Sequence, residues 1–288
     1  MVTLAVIPGI VLLIYIWKKD SVEREPMQLL LKLFMWGAAT VVSAFILENI
    51  GFFLLGLVFS ETSIVRIAIE NFLIVALVEE GGKYLVFKWK AWNNREFDHT
   101  FDAIVYCVAI SLGFATLENI GYLIGETVGL AVLRGLFAVP GHMIDAIFMG
   151  YYLGIAKYYS VYGNQKEMKS NMTKGLWVPV LLHGFYDFCL STGSDLFLII
   201  FFVFEIGLTI YTINRINYLS KRDTPLYGFS NYWYNTPPVQ PPVNNVPNTP
   251  VNNYPNTPVN NYPNTPVNNY PNTPVNNFPP QDNNGNHL

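Results

Sequence analysis

Phe72-Leu-Ile-Val-Ala-Leu-Val-Glu79-Glu80-Gly81-Gly82-Lys83 is the stretch that decides how this chain is read. Seven apolar residues run without a break into two adjacent carboxylates, two glycines and a lysine. Such a run belongs in lipid, where a charge near the bilayer centre costs at least about 2.5 kcal/mol. A chain that keeps acids there must supply a counter-charge, a water-filled cavity or a reaction. The pattern recurs in Phe114-x-x-x-Glu118-Asn119, His142-x-x-Asp145 and His183-x-x-x-Asp187, and earlier in Glu48, all within apolar stretches. Together these residues predict a polar, catalytic chamber inside a membrane protein.

The composition agrees. Of 288 residues, 51% are hydrophobic and only 13% charged, about half the charge of a typical soluble domain. The net charge of -3 says little about nucleic acid, but the lack of a basic stripe that would track phosphates argues against such a partner. Cys107 and Cys189 each sit in an apolar run and read as small core residues rather than a disulfide or a metal site.

Apolar runs long enough to cross about 30 Å of hydrocarbon fall near 2–17, 33–59, 64–87, 101–124, 128–156, 173–192 and 195–213. The fold class is therefore all-α, a polytopic transmembrane bundle of about seven spans over residues 1–220. Lys18-Lys19 follow the first run, whereas a cleavable signal carries its basic residues ahead of it. The first run thus reads as a retained anchor. Basic residues cluster after spans one (Lys18, Lys19, Arg24, Lys32), three (Lys88, Lys90, Arg95), five (Lys157, Lys166, Lys169, Lys174) and seven (Arg215, Lys221, Arg222). By the positive-inside rule the N-terminus lies outside and the C-terminus in the cytoplasm. Residues 221–288 are a different material, with Val-Asn-Asn-Tyr-Pro-Asn-Thr-Pro units whose valines stand at 243, 251, 259, 267 and 275. Their proline spacing and lack of core-forming residues predict a disordered tail of extended character. It reads as a solvated tether, or as a strip whose Tyr or Phe anchors dock a tail-binding partner.

Glu79 and Glu80 project about 100° apart on a helix, so the spacing predicts that one pairs with Lys83 and the other addresses the cavity. Gly81-Gly82 would let a neighbouring backbone approach. Glu118 adds a second carboxylate and Asn119 an amide able to donate to an oxyanion. Leu47-Glu48-Asn49-Ile50-Gly51 echoes Leu117-Glu118-Asn119-Ile120-Gly121, as a faint repeat or by chance, and Glu48 ranks below Glu118. Pro140-Gly141 before His142 allows a kink that a protein-lined cavity tolerates. Asp145 and Asp187, three and four residues after their histidines, would orient His142 and His183. Arg134 could pair with Glu118 or Asp145. Trp17, Trp36 and Trp177 read as interface anchors or packing. Counting residues from the expected span ends puts Glu118 much nearer the outer edge than Glu79, His142 and Asp145, so a single site requires a tall cavity or shifted boundaries.

In this order, on separate helices, Glu79-Glu80-x-x-Lys83, Phe114-x-x-x-Glu118-Asn119, His142-x-x-Asp145 and His183-x-x-x-Asp187 resemble the PrsW family of bacterial intramembrane proteases. That family shares a superfamily with the type II CAAX prenyl proteases and the Aph-1 subunit of gamma-secretase. The resemblance covers roughly residues 1–220 and leaves the tail unassigned. It implies that Glu79, Glu80, Glu118, Asn119, His142 and His183 are catalytic, with Lys83, Asp145 and Asp187 in support. It also implies a bacterial plasma-membrane peptidase making the first cut in a membrane-anchored anti-sigma factor. Two chemistries remain open: zinc held by His142, His183 and Glu80, or water activated directly by a glutamate with no cofactor. Because the nearby aspartates already suffice to orient both histidines, the second is narrowly favoured. The rival readings are an Aph-1-like non-catalytic scaffold and an ion- or proton-coupled transporter.

Overall fold

A computed structural model describes residues 2–60 and 63–226, and all their regular elements are helical. Helix α1 (Val2–Lys19) ends on Lys18 and Lys19, where the partial negative charge of a helix C-terminus favours cations. Helix α2 (Met27–Gly56) starts directly after Pro26, whose carbonyl accepts from Leu30 N at 3.3 Å. Next comes an unbroken rod of α3 (Ile64–Ile69), a π-helical segment (Glu70–Ala76), α4 (Leu77–Val86) and a second π segment (Phe87–Ala91). Wide π turns disturb the ladder of backbone bonds, so the carbonyls there need other partners. Asn71 supplies one, donating to the Ile67 carbonyl at 2.7 Å while its own oxygen accepts from Ser191 at 3.1 Å.

Helix α5 (Asp102–Tyr122) is the axis of the fold. Residues 102–116 are all buried, as expected for a helix that is apolar all round and enclosed by others. α1, α2 and α7 pack round it. At the α2–α5 crossing a Cβ on Gly37 would overlap the Ile110 carbonyl, and one on Gly113 the Phe34 carbonyl. Reciprocal glycines thus set that close approach. The short α6 (Val128–Leu136) is capped by Thr127, whose hydroxyl accepts from Leu130 N. α7 (Ala138–Val161), α8 (Gln165–Ser191) and α9 (Asp195–Leu219) follow. α8 lies against both α7 and the first π segment.

Val2–Lys19, Met27–Gly56, Asp102–Tyr122, Val128–Val161 and Asp195–Leu219 are long and apolar enough to cross a membrane. Phe45, Phe53 and Leu54 on α2 and Ile199, Val203 and Ile210 on α9 are exposed, an apolar surface suited to lipid. The remaining two expected spans correspond to the π-interrupted rod and to α8, which carries Lys166, Glu167, Lys169 and Lys174 on its first turns. These lysines lie on a helix rather than in a loop, and the α7–α8 connection shrinks to 162–164.

Three connections meet at one end of the bundle. Ser21 Oγ donates to the Ser220 carbonyl, Leu226 N donates to the Asp98 carbonyl, and Phe101 N donates to Asp223 Oδ1 at 2.8 Å. They are the basic connections after the first, third and seventh expected spans. The chain stays packed through Leu226, which is buried. The repeat tail, expected to be disordered, lies outside the described residues. Cys107 and Cys189 are free and buried, as small core residues should be.

Two local expectations are corrected. The fifth run is not continuous from 128. The chain breaks at Phe137, and Pro140 falls in the first turn of α7, where a missing N–H costs no helical bond. Gly81 and Gly82 admit no neighbouring backbone: a Cβ on Gly81 would meet nothing within 4 Å among the described residues, and one on Gly82 only the Thr40 side chain at 3.6 Å.

Candidate active site

Lys83 stands at the centre of the polar interior, 1% exposed. Its ammonium lies 2.6 Å from Glu80 Oε1, 3.4 Å from Glu79 Oε2 and 3.1 Å from His142 Nδ1. The Phe114 ring covers it at 4.2 Å, which explains the phenylalanine one turn before Glu118. The expected division, one glutamate to the lysine and one to the cavity, therefore holds only in part. Two methylene groups let both side chains bend back to the same ammonium despite their 100° separation on the backbone. Glu80 is wholly enclosed, whereas Glu79 also lines a cavity of about 440 Å³.

An ammonium can only donate, so His142 Nδ1 accepts from Lys83 and carries its proton on Nε2. That nitrogen donates to Glu118 Oε2 at 3.1 Å. Glu118, not Asp145, orients His142, because α7 begins at Ala138 and so brings His142 level with the end of α5. The vertical gap expected between Glu118 and His142 closes for the same reason. Asp145 instead turns towards His183, 3.9 Å from its Nδ1. His183 is bracketed by Glu80 Oε1 at 3.0 Å and by Asp187 Oδ2 at 3.1 Å, the second at the four-residue spacing seen in the sequence. The two imidazoles meet edge to face with centroids 5.2 Å apart.

Arg134 arrives from α6. It donates to Glu118 Oε2 at 2.9 Å and to Asn119 Oδ1 at 2.8 Å, the first of the two pairings its position allowed. Asn119 thus holds an arginine that lines the cavity and does not itself line it. Glu48, ranked below Glu118 from the sequence, lines the same cavity and has a buried Oε1 with no hydrogen-bond partner among the described residues. Glu205 of α9 belongs to none of the four sequence motifs. It is the only charged residue between 196 and 213, a signal the sequence did carry, and it is buried outside the cavity lining.

The charge balance is uneven. Glu48, Glu79, Glu80, Glu118, Asp145 and Asp187 stand against two fixed cations, Lys83 and Arg134, in a low-dielectric setting that tolerates no such surplus. Protons or a metal dication must make up the difference. A metal fits the donors present. One ligand atom each of Glu79, Glu80, His142 and His183 lies within 4.8 Å of the others, and Glu80 Oε2 is buried without a partner among the described residues. Two imidazoles and a carboxylate are a donor set used by catalytic zinc.

Residues 25–211 match the model of the PrsW family intramembrane metalloproteases. The protease PrsW of Oceanobacillus iheyensis is 38% identical over 212 residues, covering 73% of this chain and 93% of that protein. Its counterpart in Bacillus subtilis is 34% identical over 203 residues, 67% of this chain and 84% of that protein. The one in Clostridioides difficile is 31% identical over 230 residues, 78% and 94% respectively. No solved structure matches the chain. With nearly the full length of these proteases matched, the chain belongs to the PrsW family of intramembrane metalloproteases, multi-pass enzymes of the membrane.

Proposed function

We propose that this protease cuts a membrane-anchored regulatory protein of the anti-sigma-factor kind, on the outer side of the bilayer, using the Glu79, Glu80, His142 and His183 centre. The observation that carries the reading is the convergence of these four side chains, from α4, α7 and α8, with one ligand atom of each within 4.8 Å of the others beside a cavity. Depth supports the outer side. Glu118 lies about 24 Å along α5 from Asp102 at 1.5 Å per residue, so the cavity sits far from the basic end of the bundle. Seven spans with that end in the cytoplasm complete the topology we propose. The substrate class rests on the family resemblance.

In the hydrolysis we derive, Glu79 removes a proton from water while the water oxygen bonds to the scissile carbonyl carbon. The proton then passes to the departing nitrogen as the C–N bond breaks. Lys83 and Glu80 hold the base in place, and Asp187 fixes the ring of His183. Arg134 and the Nε2–H of His142, both lining the cavity, are the donors we assign to a developing oxyanion. A metal held by His142, His183 and Glu80 would supply Lewis acidity and make water nucleophilic near neutral pH. The family's description as metalloproteases and this donor set support that form over the metal-free one favoured from sequence.

The test uses purified protein in proteoliposomes with a single-span reporter, product ends mapped by mass spectrometry and bound metals counted by elemental analysis. We expect one cut near the outer end of the span and about one zinc per chain, lost on His142→Ala. A reporter left intact by metal-replete protein would instead support a non-catalytic scaffold.

A further inference from the structure

Five acids line the active-site cavity, and four of them have partners. Glu79 faces Lys83 at 3.4 Å, while Glu118 holds Arg134 at 2.9 Å and His142 at 3.1 Å. Asp187 and Asp145 approach His183 at 3.1 and 3.9 Å. The fifth is Glu48 of α2. It takes part in no ion pair or side-chain hydrogen bond among the described residues, and its Oε1 is buried. Lys83 and His183 attract its charge and Glu118 and Asp187 repel it, all from beyond ion-pair reach. A metal at the Glu79, Glu80, His142 and His183 centre would not satisfy it, because no Glu48 oxygen joins the ligand atoms gathered there. A buried carboxylate oxygen without a partner is costly, so its place on the cavity wall points to a partner that arrives with the substrate.

The surroundings indicate which partner. Phe52, one turn further along the same face of α2, lines the cavity too, as does Val75 of the first π segment. A Cβ on Gly51 would stand 2.7 Å from Ile74 Cγ2, so α2 lies tight against that segment and the two apolar walls are held together. An acid on an apolar wall matches a side chain with an apolar stem and a cationic tip, which is lysine or arginine. The chain offers none of its own. Arg134, the one lysine or arginine that lines the cavity among the described residues, is already bound to Glu118 and Asn119.

We infer that Glu48 is a specificity residue, which selects substrates carrying a lysine or arginine close to the scissile bond by pairing with that side chain as its stem lies on Phe52 and Val75. Resting on the proteolytic function proposed above, this role adds a chemical mark that preferred substrates carry. A cavity of about 440 Å³ is about 9 Å across, or about three residues of extended chain. The basic residue therefore falls within about three residues of the cut. Such a mark discriminates well, since basic residues are scarce on the outer side of membrane spans.

The experiment uses the full-length, metal-replete protein in proteoliposomes with single-span reporters whose cut has been mapped. Lysine, and in a parallel set methionine, is placed in turn at about three positions on either side of the cut, and kcat/KM is measured for each. Wild type should favour lysine over methionine by at least about 10-fold at one position. In Glu48→Gln, shown to be folded by its unfolding temperature, that ratio should fall to within about 2-fold of unity. The ratio is the readout, so a general loss of activity does not imitate the effect. Should Glu48→Gln not fold, Glu48→Met carries the same comparison. No preference for lysine at any position in wild type, or a preference retained in the folded variant, would overturn the role. If wild type cuts no reporter, the proteolytic reading fails, and binding of the fluorescently labelled reporters decides for Glu48 separately. The lysine form should then bind wild type at least about 10-fold more tightly than the methionine form, and equal affinity would overturn the role.

Discussion

Lys83 makes two ion pairs, a hydrogen bond to His142 and a cation–π contact with Phe114, so the site depends on it electrostatically before any chemistry begins. Lys83→Met would leave Glu79 and Glu80 buried without their cation and should destabilise the protein by about 3–5 kcal/mol, read as a large fall in detergent unfolding temperature. Glu79→Gln, which removes a charge from an over-acidic cavity, should leave that temperature close to wild type. At this scale the sequence shows which residues matter better than whom they meet. Glu79, Glu80, Glu118, His142 and His183 stand out because charge is rare in such apolar runs. Spacing along one helix correctly pairs His183 with Asp187. It mispairs His142 with Asp145, because the partner of His142 is Glu118, from another helix and twenty-four positions away.

Among the elements, the two glycine pairs make opposite demands. Gly113 on α5 faces the Phe34 carbonyl, and a methyl group there has to push two helices apart. Gly113→Ala should cost about 1–3 kcal/mol, whereas Gly81→Ala, opening on space, should cost nothing and gain up to about 1 kcal/mol from its helix. Comparative unfolding of the two variants checks the contrast. The sequence marks Gly81-Gly82 as a close approach because small residues permit one in membrane packing, yet closeness is set by which helix crosses which, and no local pattern encodes that. Apolar run lengths do locate the long helices. They miss the π segments at Glu70–Ala76 and Phe87–Ala91, whose wide turns depend on tertiary partners such as Ser191 on Asn71. The break at Phe137 was readable in principle, since Pro140 suits a helix's first turn better than its middle.

For the whole molecule, alternation of basic connections in the sequence implies that those after the first, third and seventh expected spans share a side, and the three do meet at one end. The membrane domain includes residues through Leu226. Ending the chain after Leu226 should leave unfolding unchanged, while ending it at Ser220 removes the Asp223 hydrogen bonds and should lower the unfolding temperature by about 5 °C or more. At the other end of the bundle lies the cavity, where Glu79 is the base in our account. The most direct test is the initial rate of reporter cleavage in proteoliposomes by Glu79→Gln, with folding and bound metal measured in the same preparation. The account predicts a rate at least about 100-fold below wild type in protein that unfolds at the wild-type temperature. Cleavage at the wild-type rate by that folded variant would contradict it.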